Sequence, residues 1–312
     1  MTGFWHRCHS PGVCFRIIAI IIAALISSVP AFSAQVGVIM AAGGIPYYLA
    51  IQRVIEEELA KEKDVRAEMI IERPAPNEMA WRNATRRLVT LESKVIIAYG
   101  GGTALAAMAE APDLPVVFCA AFDPAASGIV GANVTGVATK APLFALVNSL
   151  HKISNYRKLG ILYSSSEVDS VRQAEIVASL GGNVVKTDVK GLDTIFFPDD
   201  VQAVFLTCAG AVQNQQAITG IIERARAGKI ATASVFAESA EQGVLIAMSV
   251  PAEEIARKTA KIVAGVLAGG RLSGAPLLSS GSRAELVING GEARNLGFAI
   301  PSEILTQARV VE

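Results

Sequence analysis

The sequence predicts an α/β protein built from two Rossmann-like lobes with parallel sheets, joined by a hinge. Short β-rich apolar runs alternate with amphipathic helical patterns from Val36 onward. Several runs are apolar throughout, which is typical of strands buried on both faces of a parallel sheet. The alternation starts again near the middle of the chain, and two similar βαβ runs favour two lobes over one long sheet.

The first βαβ run occupies the N-terminal half of the chain. Ile51, Val54 and Ile55 recur near a spacing of 3.6 residues, which indicates a helix with one buried face. The predicted elements are strand 36–40, helix 47–62, strand 67–72, helix 78–92, strand 94–99, helix 104–111 and strand 115–121.

The second run repeats this order. Gly181 and Gly182 follow one helical pattern, and glycines of this kind commonly end helices. The predicted elements are helix 145–153, strand 158–163, helix 168–180, strand 183–189, strand 203–208, helix 213–228, strands 230–236 and 244–250, and helix 252–270.

The C-terminal segment carries signals for two short helices. Asn289 can cap a helix, with Glu292 in the capping-box position three residues later. Gly297 can end that helix, and Pro301 can open a second one.

The first 33 residues differ from the rest of the chain. They hold Arg7 and Arg16 but no acid, then an apolar run from 17 to 26, and small residues at Ala31 and Ser33, the two positions that a signal peptidase reads. This pattern predicts a secretory signal sequence cleaved near Ser33. The alternative is a membrane anchor, but ten strictly apolar residues are too few to cross a hydrocarbon layer of about 30 Å. We therefore expect a periplasmic or otherwise exported protein.

Composition limits the classes of partner and site. The chain has a formal net charge of zero and no basic cluster, which argues against nucleic acid as a partner. After residue 33, only Cys119, Cys208 and His151 remain among cysteines and histidines, too few and too scattered for an ordinary zinc site. One disulfide is possible in an exported protein, but we place the cysteines in different lobes and expect two buried thiols.

The loops after the predicted strands are rich in small residues. Ligands of doubly wound sheets bind beyond the carboxyl ends of the strands, where helix N-termini converge. Aromatic residues at these loops could wall a pocket for a partly apolar molecule. The candidate ligand-binding residues are Gly43, Gly44, Tyr47, Tyr99, Gly101, Thr103, Phe122, Asp123, Ser164, Ser165, Ser170, Thr207 and Phe236.

Two of these loops each allow a structural and a functional interpretation. The stretch "YGGGTA" can be a tight strand-to-helix turn, or its free N–H groups can meet an anionic ligand end. The stretch "SSSEVDS" can be an ordinary helix cap, or its serines can bind a ligand while Glu167 or Asp169 caps or accepts. A carboxylate at this second loop also competes with an anionic ligand.

The sequence offers little support for catalysis and predicts no cofactor or metal. "YGGGTA" matches neither the dinucleotide nor the phosphate-loop spacing. No Gly-x-Ser-x-Gly elbow occurs. His151 lies on a helical stretch remote from the strand-end loops, and Cys119 has no evident base near it in the sequence. We therefore expect a protein that is not an enzyme.

Four segments together resemble a known family. They are "LPVVFCAAFDPAASGIV" with "NVTGV", "KLGILYSSSEVDSVRQAE", "EIARKTAKIVAGVLAGGRLSGAPL" and "LVINGGEARNLGFAIPSEIL". In this combination the chain resembles the ABC-transporter substrate-binding proteins of the tryptophan/tyrosine type, whose fold is similar to type I periplasmic binding proteins. The resemblance covers nearly all of residues 35–312. In it, residues 135–137 are a turn, and Asp169 stands where many members carry Asn.

The resemblance implies two lobes joined by three crossovers, with a ligand in the cleft between them. Mapped onto this chain, the first lobe is 34–140 with 234–250 and 285–312, and the second is 141–233 with 251–284. The implied function is capture of a small solute, amino-acid-like or carboxylate-bearing, and its delivery to the membrane permease of an ABC transporter. The alternatives are a sensory ligand-binding component for a membrane receptor and, from another class, an exported α/β enzyme.

Overall fold

The computed structural model describes residues 33–62, 66–180, 182–272, 277–278 and 284–312. Residues 34–312 form one compact unit, and the described residues build two mostly parallel sheets flanked by helices. The predicted signal sequence lies, except for Ser33, outside the described residues. None of the described helices is both long enough and apolar enough to cross a membrane.

The first sheet has the strand order β11-β5-β4-β3-β1-β2, and all of its pairings are parallel. Its strands β3, β4 and β5 are buried along their whole length, as their apolar sequences predict. The strands are β1 (Ala34–Ile39), β2 (Ala67–Glu72), β3 (Val95–Tyr99), β4 (Val116–Ala121), β5 (Val134–Ala138) and β11 (Leu277–Leu278).

Four helices cover the first sheet: α1 (Pro46–Leu59), α2 (Glu78–Thr90), α3 (Gly101–Glu110) and α9 (Ala252–Leu267). Helix α9 packs along α1 and against β4 and β5. Its buried face includes Ile255, Thr259 and Val263, which recur at helical spacing. The amphipathic pattern of α9 therefore buries its apolar face on this sheet.

The second sheet has the order β13-β12-β10-β9-β8-β6-β7. Its pairings are parallel except for that between β10 and β12, which is antiparallel. The strands are β6 (Lys158–Tyr163), β7 (Asn183–Asp188), β8 (Ala203–Leu206), β9 (Ala231–Ser234), β10 (Ile246–Ser249), β12 (Glu285–Asn289) and β13 (Ala308–Val311).

The second sheet carries the remaining described helices. Helix α4 packs on the central strands, α5 beside β6, and α7 against β9, while α10 and α11 contact β13 at the sheet edge. They are α4 (Leu143–Ser154), α5 (Val168–Ser179), α6 (Gly210–Gln213), α7 (Gln215–Gly228), α8 (Glu238–Glu241), α10 (Gly290–Leu296) and α11 (Ser302–Leu305), with a short 3₁₀ turn at Leu192–Thr194.

The sheet order corrects the predicted lobe boundaries. Strand β10 pairs with β9, and β12 and β13 extend the same sheet, so segments 234–250 and 285–312 belong to the second lobe. Helix α9 and strand β11 belong to the first lobe, because α9 packs on α1 and β11 pairs with β5. The misplaced segments are apolar runs or amphipathic helices that suit either sheet equally well. The chain still passes between the lobes three times.

Most of the predicted helices and strands are present in the structure, but strands β5, β12 and β13 were not predicted. Residues 135–137 lie within strand β5 and do not form a turn. At the C-terminal end, Asn289 Oδ1 accepts a hydrogen bond from the Glu292 amide at 2.6 Å. Gly297 ends α10 in the left-handed conformation with φ 80°, as predicted.

Candidate functional site

The carboxyl ends of the strands in the two sheets face each other across a cleft. A small cavity lies in this cleft, with a volume of about 10 Å³. That volume is enough for about one water molecule. Both lobes and the chain crossings between them contribute to its wall. The lining residues are Tyr47, Ala120, Phe122, Thr139, Ala141, Gln173, Cys208, Val235, Phe236, Ser249 and Val250.

Aromatic rings from the two lobes fill most of the cleft. Tyr47 of the first lobe stacks on Phe236 of the second, with ring centroids 4.6 Å apart and an interplanar angle of 17°. Tyr48 meets Phe236 edge-on at 5.6 Å. The Tyr47 hydroxyl donates to the carbonyl of Val250 at 2.8 Å, at a chain crossing. The rings occupy the space between the lobes, so a solute larger than water requires them to separate.

The N-terminus of α3 holds a carboxylate from the opposite lobe. The Gly101 amide donates to Asp169 Oδ2 at 2.7 Å. The N-cap residue, Gly100, has a φ of 83° and no side chain to cap the helix. A β-carbon on Gly101 would lie 2.6 Å from Asp169 Oδ1, so only glycine allows this approach. The anion site that the sequence predicted at "YGGGTA" is therefore occupied by the protein's own acid.

Two buried acids, Asp169 and the nearby Glu167, lie at this contact between the lobes. Burial raises the pKa of Asp169 to about 6, although the amides of Gly101 and Phe122 lower it. Burial likewise raises the pKa of Glu167 to about 8, against a hydrogen bond of 2.7 Å from the Gly210 amide to Glu167 Oε1. Desolvation of the charged form therefore outweighs hydrogen bonding at both carboxyl groups.

Two further hydrogen bonds cross the cleft from the same segment of the second lobe. The Ser166 hydroxyl donates to the carbonyl of Pro76 at 3.0 Å. Arg172 Nη1 donates to the carbonyl of Ala126 at 3.1 Å. Residues 164–172 thus carry most of the polar contact between the lobes.

Trp81 supports the first-lobe side of this contact. Its indole Nε1 donates to the carbonyl of Ala41 at 2.9 Å. A β-carbon on Gly102 would lie 2.5 Å from the Trp81 ring, so the indole packs directly against the start of α3.

Several predicted site residues of the first lobe lie away from the cavity. Gly43 and Gly44 are exposed in the turn after β1, and Gly44 has a φ of 74°. The Tyr99 hydroxyl is buried and donates to Gln52 Oε1 at 2.8 Å. The Thr103 hydroxyl donates to the carbonyl of Tyr99 at 2.7 Å, within the start of α3. Gly43 and Gly44 thus belong to a turn, and the Thr103 hydroxyl stabilises the start of α3.

Two predicted polar residues pair with other side chains. Asp123 Oδ2 lies 3.1 Å from Lys140 Nζ. The amide and hydroxyl of Ser165 donate to Asp188 at 2.8 and 2.7 Å, at the exposed end of β7. Both of these hydrogen bonds of Ser165 therefore stay within the second lobe.

The remaining predicted polar residues form a buried network beneath the cleft. Ser170 Oγ lies 2.8 Å from Thr207 Oγ1 and accepts from the Ser164 amide at 2.9 Å. Thr207 also donates to the carbonyl of Leu162 at 2.9 Å. The structure brings these three residues together, but as support for the loop and not as part of the cavity wall.

Several residues of the cavity wall are not among those predicted from the sequence. Gln173 follows Ser170 by three residues on α5, a helical spacing that could have identified it. Its Oε1 accepts from the Cys208 amide at 2.8 Å. Thr139 and Ser249 lie at chain crossings, which no local sequence signal marks.

The sequence profile of the family described as ABC transporter substrate binding protein matches residues 61–312. The chain belongs to this family. The resemblance stated from the sequence is therefore confirmed. Among proteins with curated functional descriptions, none matches the chain.

Solved structures of similar fold include solute-binding proteins. The ABC domain from Streptococcus pneumonia in complex with L-Trp is 22% identical, with a TM-score of 0.80 over 90% of this chain and 100% of that one. A conserved domain protein from Vibrio cholerae is 23% identical, with a TM-score of 0.79 and the same coverage of both chains. A myo-inositol-bound solute-binding protein from Bacillus halodurans is 12% identical, with a TM-score of 0.56, over 86% of this chain and 98% of that one. These likenesses show a fold of the type I periplasmic-binding-protein kind.

Within the described residues, this substrate-binding protein shows no reactive constellation at the cleft. No group of three His, Cys, Asp or Glu side chains is arranged to hold a metal ion in that part of the chain. Cys119 and Cys208 are both free and buried, as expected. Burial raises the pKa of Cys119 to about 12 and that of Cys208 well above its ordinary value, so both stay protonated thiols. The family and the fold are those of solute-binding proteins, which are generally not enzymes.

Proposed function

We propose that the protein is exported, captures a small solute between its two lobes and delivers it to an ABC-type permease. The observation that carries this proposal is the shared cavity, whose wall comes from both lobes and from the crossings that join them. Family membership supports the transporter context. The leader pattern of residues 1–33 supports export.

The proposed mechanism is hinged closure. The lobes touch through the stacked rings of Tyr47 and Phe236 and a few hydrogen bonds, while the chain crossings near Thr139 and Val250 connect them. Separation of the lobes would open the cleft to a solute. Contacts from both lobes would then favour the closed arrangement as a population shift.

The residues of the cavity suggest what the solute offers. Tyr47, Phe122 and Phe236 supply flat apolar surface, while Gln173 and Thr139 supply hydrogen-bonding groups. This combination suits a small molecule with an apolar portion and one or two polar groups. Since a protein of similar fold binds L-Trp, we place L-Trp first among the solutes to test. Of the predicted binding residues, we retain Tyr47, Phe122 and Phe236 as the proposed wall, and the others stay predictions.

Two measurements identify the solute. Mass spectrometry of small molecules released by denaturing the purified protein would name what it carries. Melting curves with L-Trp and with the released molecules would then show a concentration-dependent rise. A ligand at a hundredfold excess over its Kd stabilises by about 2.7 kcal/mol. Stabilisation without turnover supports a binding protein, whereas turnover would support the alternative of an exported enzyme.

The cavity wall can be tested by matched aromatic substitutions. We expect Tyr47→Ala and Phe236→Ala each to lower solute affinity at least about tenfold, because each removes one face of the proposed wall. Tyr99→Phe is the control, since its hydroxyl bonds Gln52 away from the cavity. Isothermal titration with the identified solute measures all three. Equal affinity in the Tyr47→Ala variant and the wild type would remove this cavity as the binding site.

A further inference from the structure

The contact between the lobes buries two acids without a buried cation as partner. Asp169 and Glu167 are 4% and 5% exposed. Arg172 lies near Asp169 and lowers its pKa, but the Arg172 Nη1 hydrogen bond goes to the carbonyl of Ala126. Buried carboxylates are costly unless they are paired or protonated. Their position at the moving contact makes this cost depend on the arrangement of the lobes.

Asp169 is buried by the first lobe itself. Its Oδ2 accepts from the Gly101 amide at 2.7 Å, across the cleft. Its Oδ1 is buried without a hydrogen-bond partner and lies 2.6 Å from the position that a β-carbon of Gly101 would take. Separation of the lobes would return both oxygens to water, because Gly101 and Phe122, whose amides stabilise the Asp169 carboxylate, belong to the first lobe.

Glu167 lies directly beneath a second close contact. Its Oε1 accepts from the Gly210 amide at 2.7 Å. A β-carbon on Gly210 would lie 2.4 Å from Ala42 Cβ and 3.4 Å from Pro76 Cβ, both in the first lobe. The first lobe therefore shields Glu167 as it shields Asp169, and opening would hydrate both acids.

We propose that Asp169 and Glu167 form an acid latch, so that closure of the lobes takes up protons and opening releases them. The proposal rests on the hinged closure proposed above, and it deepens that function by coupling the hinge to pH. It does not depend on the identity of the solute, since the latch residues meet the backbone of the first lobe.

The direction of the coupling follows from burial. In the closed arrangement burial raises the pKa of Asp169 to about 6 and that of Glu167 to about 8. In the open arrangement the pKa values would fall toward about 4, as for hydrated carboxyl groups. The closed state therefore binds protons more tightly, and closure is favoured at low pH and weakened as pH rises through the closed-state values.

Other titratable groups around the latch do not reverse this direction. The negative charge of Asp123 raises the pKa of Asp169, and that of Asp169 raises the pKa of Glu167. Tyr48 and Cys208 also face the pair, and burial raises the pKa of both, which keeps them neutral across the range where the acids titrate. The positive charge of Arg172 opposes this shift by lowering the pKa of Asp169.

Small-angle X-ray scattering of the purified protein without added solute tests the latch. We expect a smaller radius of gyration at about pH 5 than at about pH 9, because protonation favours the closed arrangement. The ratio of closed to open molecules should change up to about tenfold per pH unit for each acid. The Glu167→Gln, Asp169→Asn double variant keeps both acceptors but loses both charges. It should remain compact at both pH values.

Asp188→Asn is the matched control. Asp188 also binds the 164–170 loop, through Ser165, but its contacts with Ser165 and Lys190 lie within the second lobe. This variant should keep the pH response of the wild type. A wild-type radius that is the same at both pH values, or a double variant that still expands at high pH, would overturn the latch.

The two single variants, checked for folding by circular dichroism, keep the test decisive if the double variant does not fold. Failure of solute binding, by contrast, would appear only in the titrations and leave this result unchanged.

Discussion

At the scale of single residues, the cavity wall contains one strained backbone position. Ala120 has a φ of 58°, in the left-handed region that L-residues other than Asn and Asp rarely adopt. It lies where the pairing of β4 with β5 shifts register between Cys119 and Ala121. Its carbonyl accepts from the Thr139 hydroxyl at 3.2 Å. The bulge thus turns the end of β4 toward the cleft.

Ala120→Gly tests this strain. We expect the free energy of unfolding to stay the same or rise by up to about 1 kcal/mol, because glycine adopts this conformation without steric cost but loses more entropy on folding. Ala98→Gly in the interior of β3 is the control and should lose about 1 kcal/mol or more. Urea denaturation measures both. A loss at Ala120 as large as that at Ala98 would contradict the strain.

The residue scale also shows why the binding residues were only partly predictable. Tyr47 and Tyr99 both stand at strand-end loops rich in glycine, and the sequence gives no reason to separate them. The structure turns Tyr47 to the cleft and Tyr99 to Gln52. This choice depends on how the start of α1 and the end of β3 pack against their neighbours, and it is therefore a tertiary property.

At the scale of elements, two asparagine caps differ in burial. Asn77 Oδ1 accepts from the Ala80 amide at 3.0 Å at the exposed start of α2. Asn289 caps α10 and is 5% exposed, and its Nδ2 also donates to the carbonyl of Ala240 at 2.8 Å. Asn289 therefore joins α10 to α8, whereas Asn77 serves only its own helix.

The two caps should differ in their contribution to stability. We expect Asn77→Ala to lower the free energy of unfolding by about 1 kcal/mol, the usual value for a cap. Asn289→Ala should cost about 2 to 3 kcal/mol, because it also leaves a buried carbonyl without its donor. Thermal and urea unfolding of both variants provide the measurement. Equal losses would show that the bond to Ala240 contributes nothing.

Elements were more predictable than their assembly. Strands β2 and β6 match the predicted bounds, and the caps of the C-terminal helices match as well, because they depend on local patterns. The lobe to which an element belongs does not depend on local patterns. Strand β10 and helix α9 are buried or amphipathic in ways that suit either sheet, and only long-range pairing decides between them.

At the scale of the whole molecule, buried acids set the dependence of stability on pH. Burial raises the pKa of Glu167 to about 8, of Asp169 to about 6 and of Glu238 to about 7. A raised pKa contributes stability that is fully present below the unfolded-state value and is lost as pH rises through the folded-state value. All three groups therefore weaken the fold between about pH 4 and pH 8.

Carboxyl groups with lowered pKa make the stability of the fold depend on pH at the acid end of the pH range. Hydrogen bonds from Lys61, Arg87 and Arg86 lower the pKa of Glu58, Glu72 and Glu110, respectively. Their contribution is present above the ordinary carboxyl pKa and is lost as pH falls. Stability should therefore be greatest near about pH 5. Near that pH the carboxyl groups with lowered pKa still contribute, and those with raised pKa have lost only a small part of their contribution.

Urea denaturation across pH checks this expectation. The free energy of unfolding should be at least about 2 kcal/mol lower at about pH 8 than at about pH 5. Glu238→Gln should reduce that difference by about 1 kcal/mol, since Glu238 Oε2 is buried without a hydrogen-bond partner. Glu238 lies outside the latch, so this variant separates global stability from hinge motion. Stability that rises steadily from about pH 5 to pH 8 would refute the assignment.

The position of Trp81 gives the molecule a natural spectroscopic probe. The only other tryptophan, Trp5, precedes the expected cleavage point, so the processed chain would contain a single indole fluorophore. That indole packs against Gly102, the residue after Gly101, whose amide donates a hydrogen bond to Asp169. Its emission would thus originate beside the joint between the lobes, and motion there could be followed optically without any attached dye.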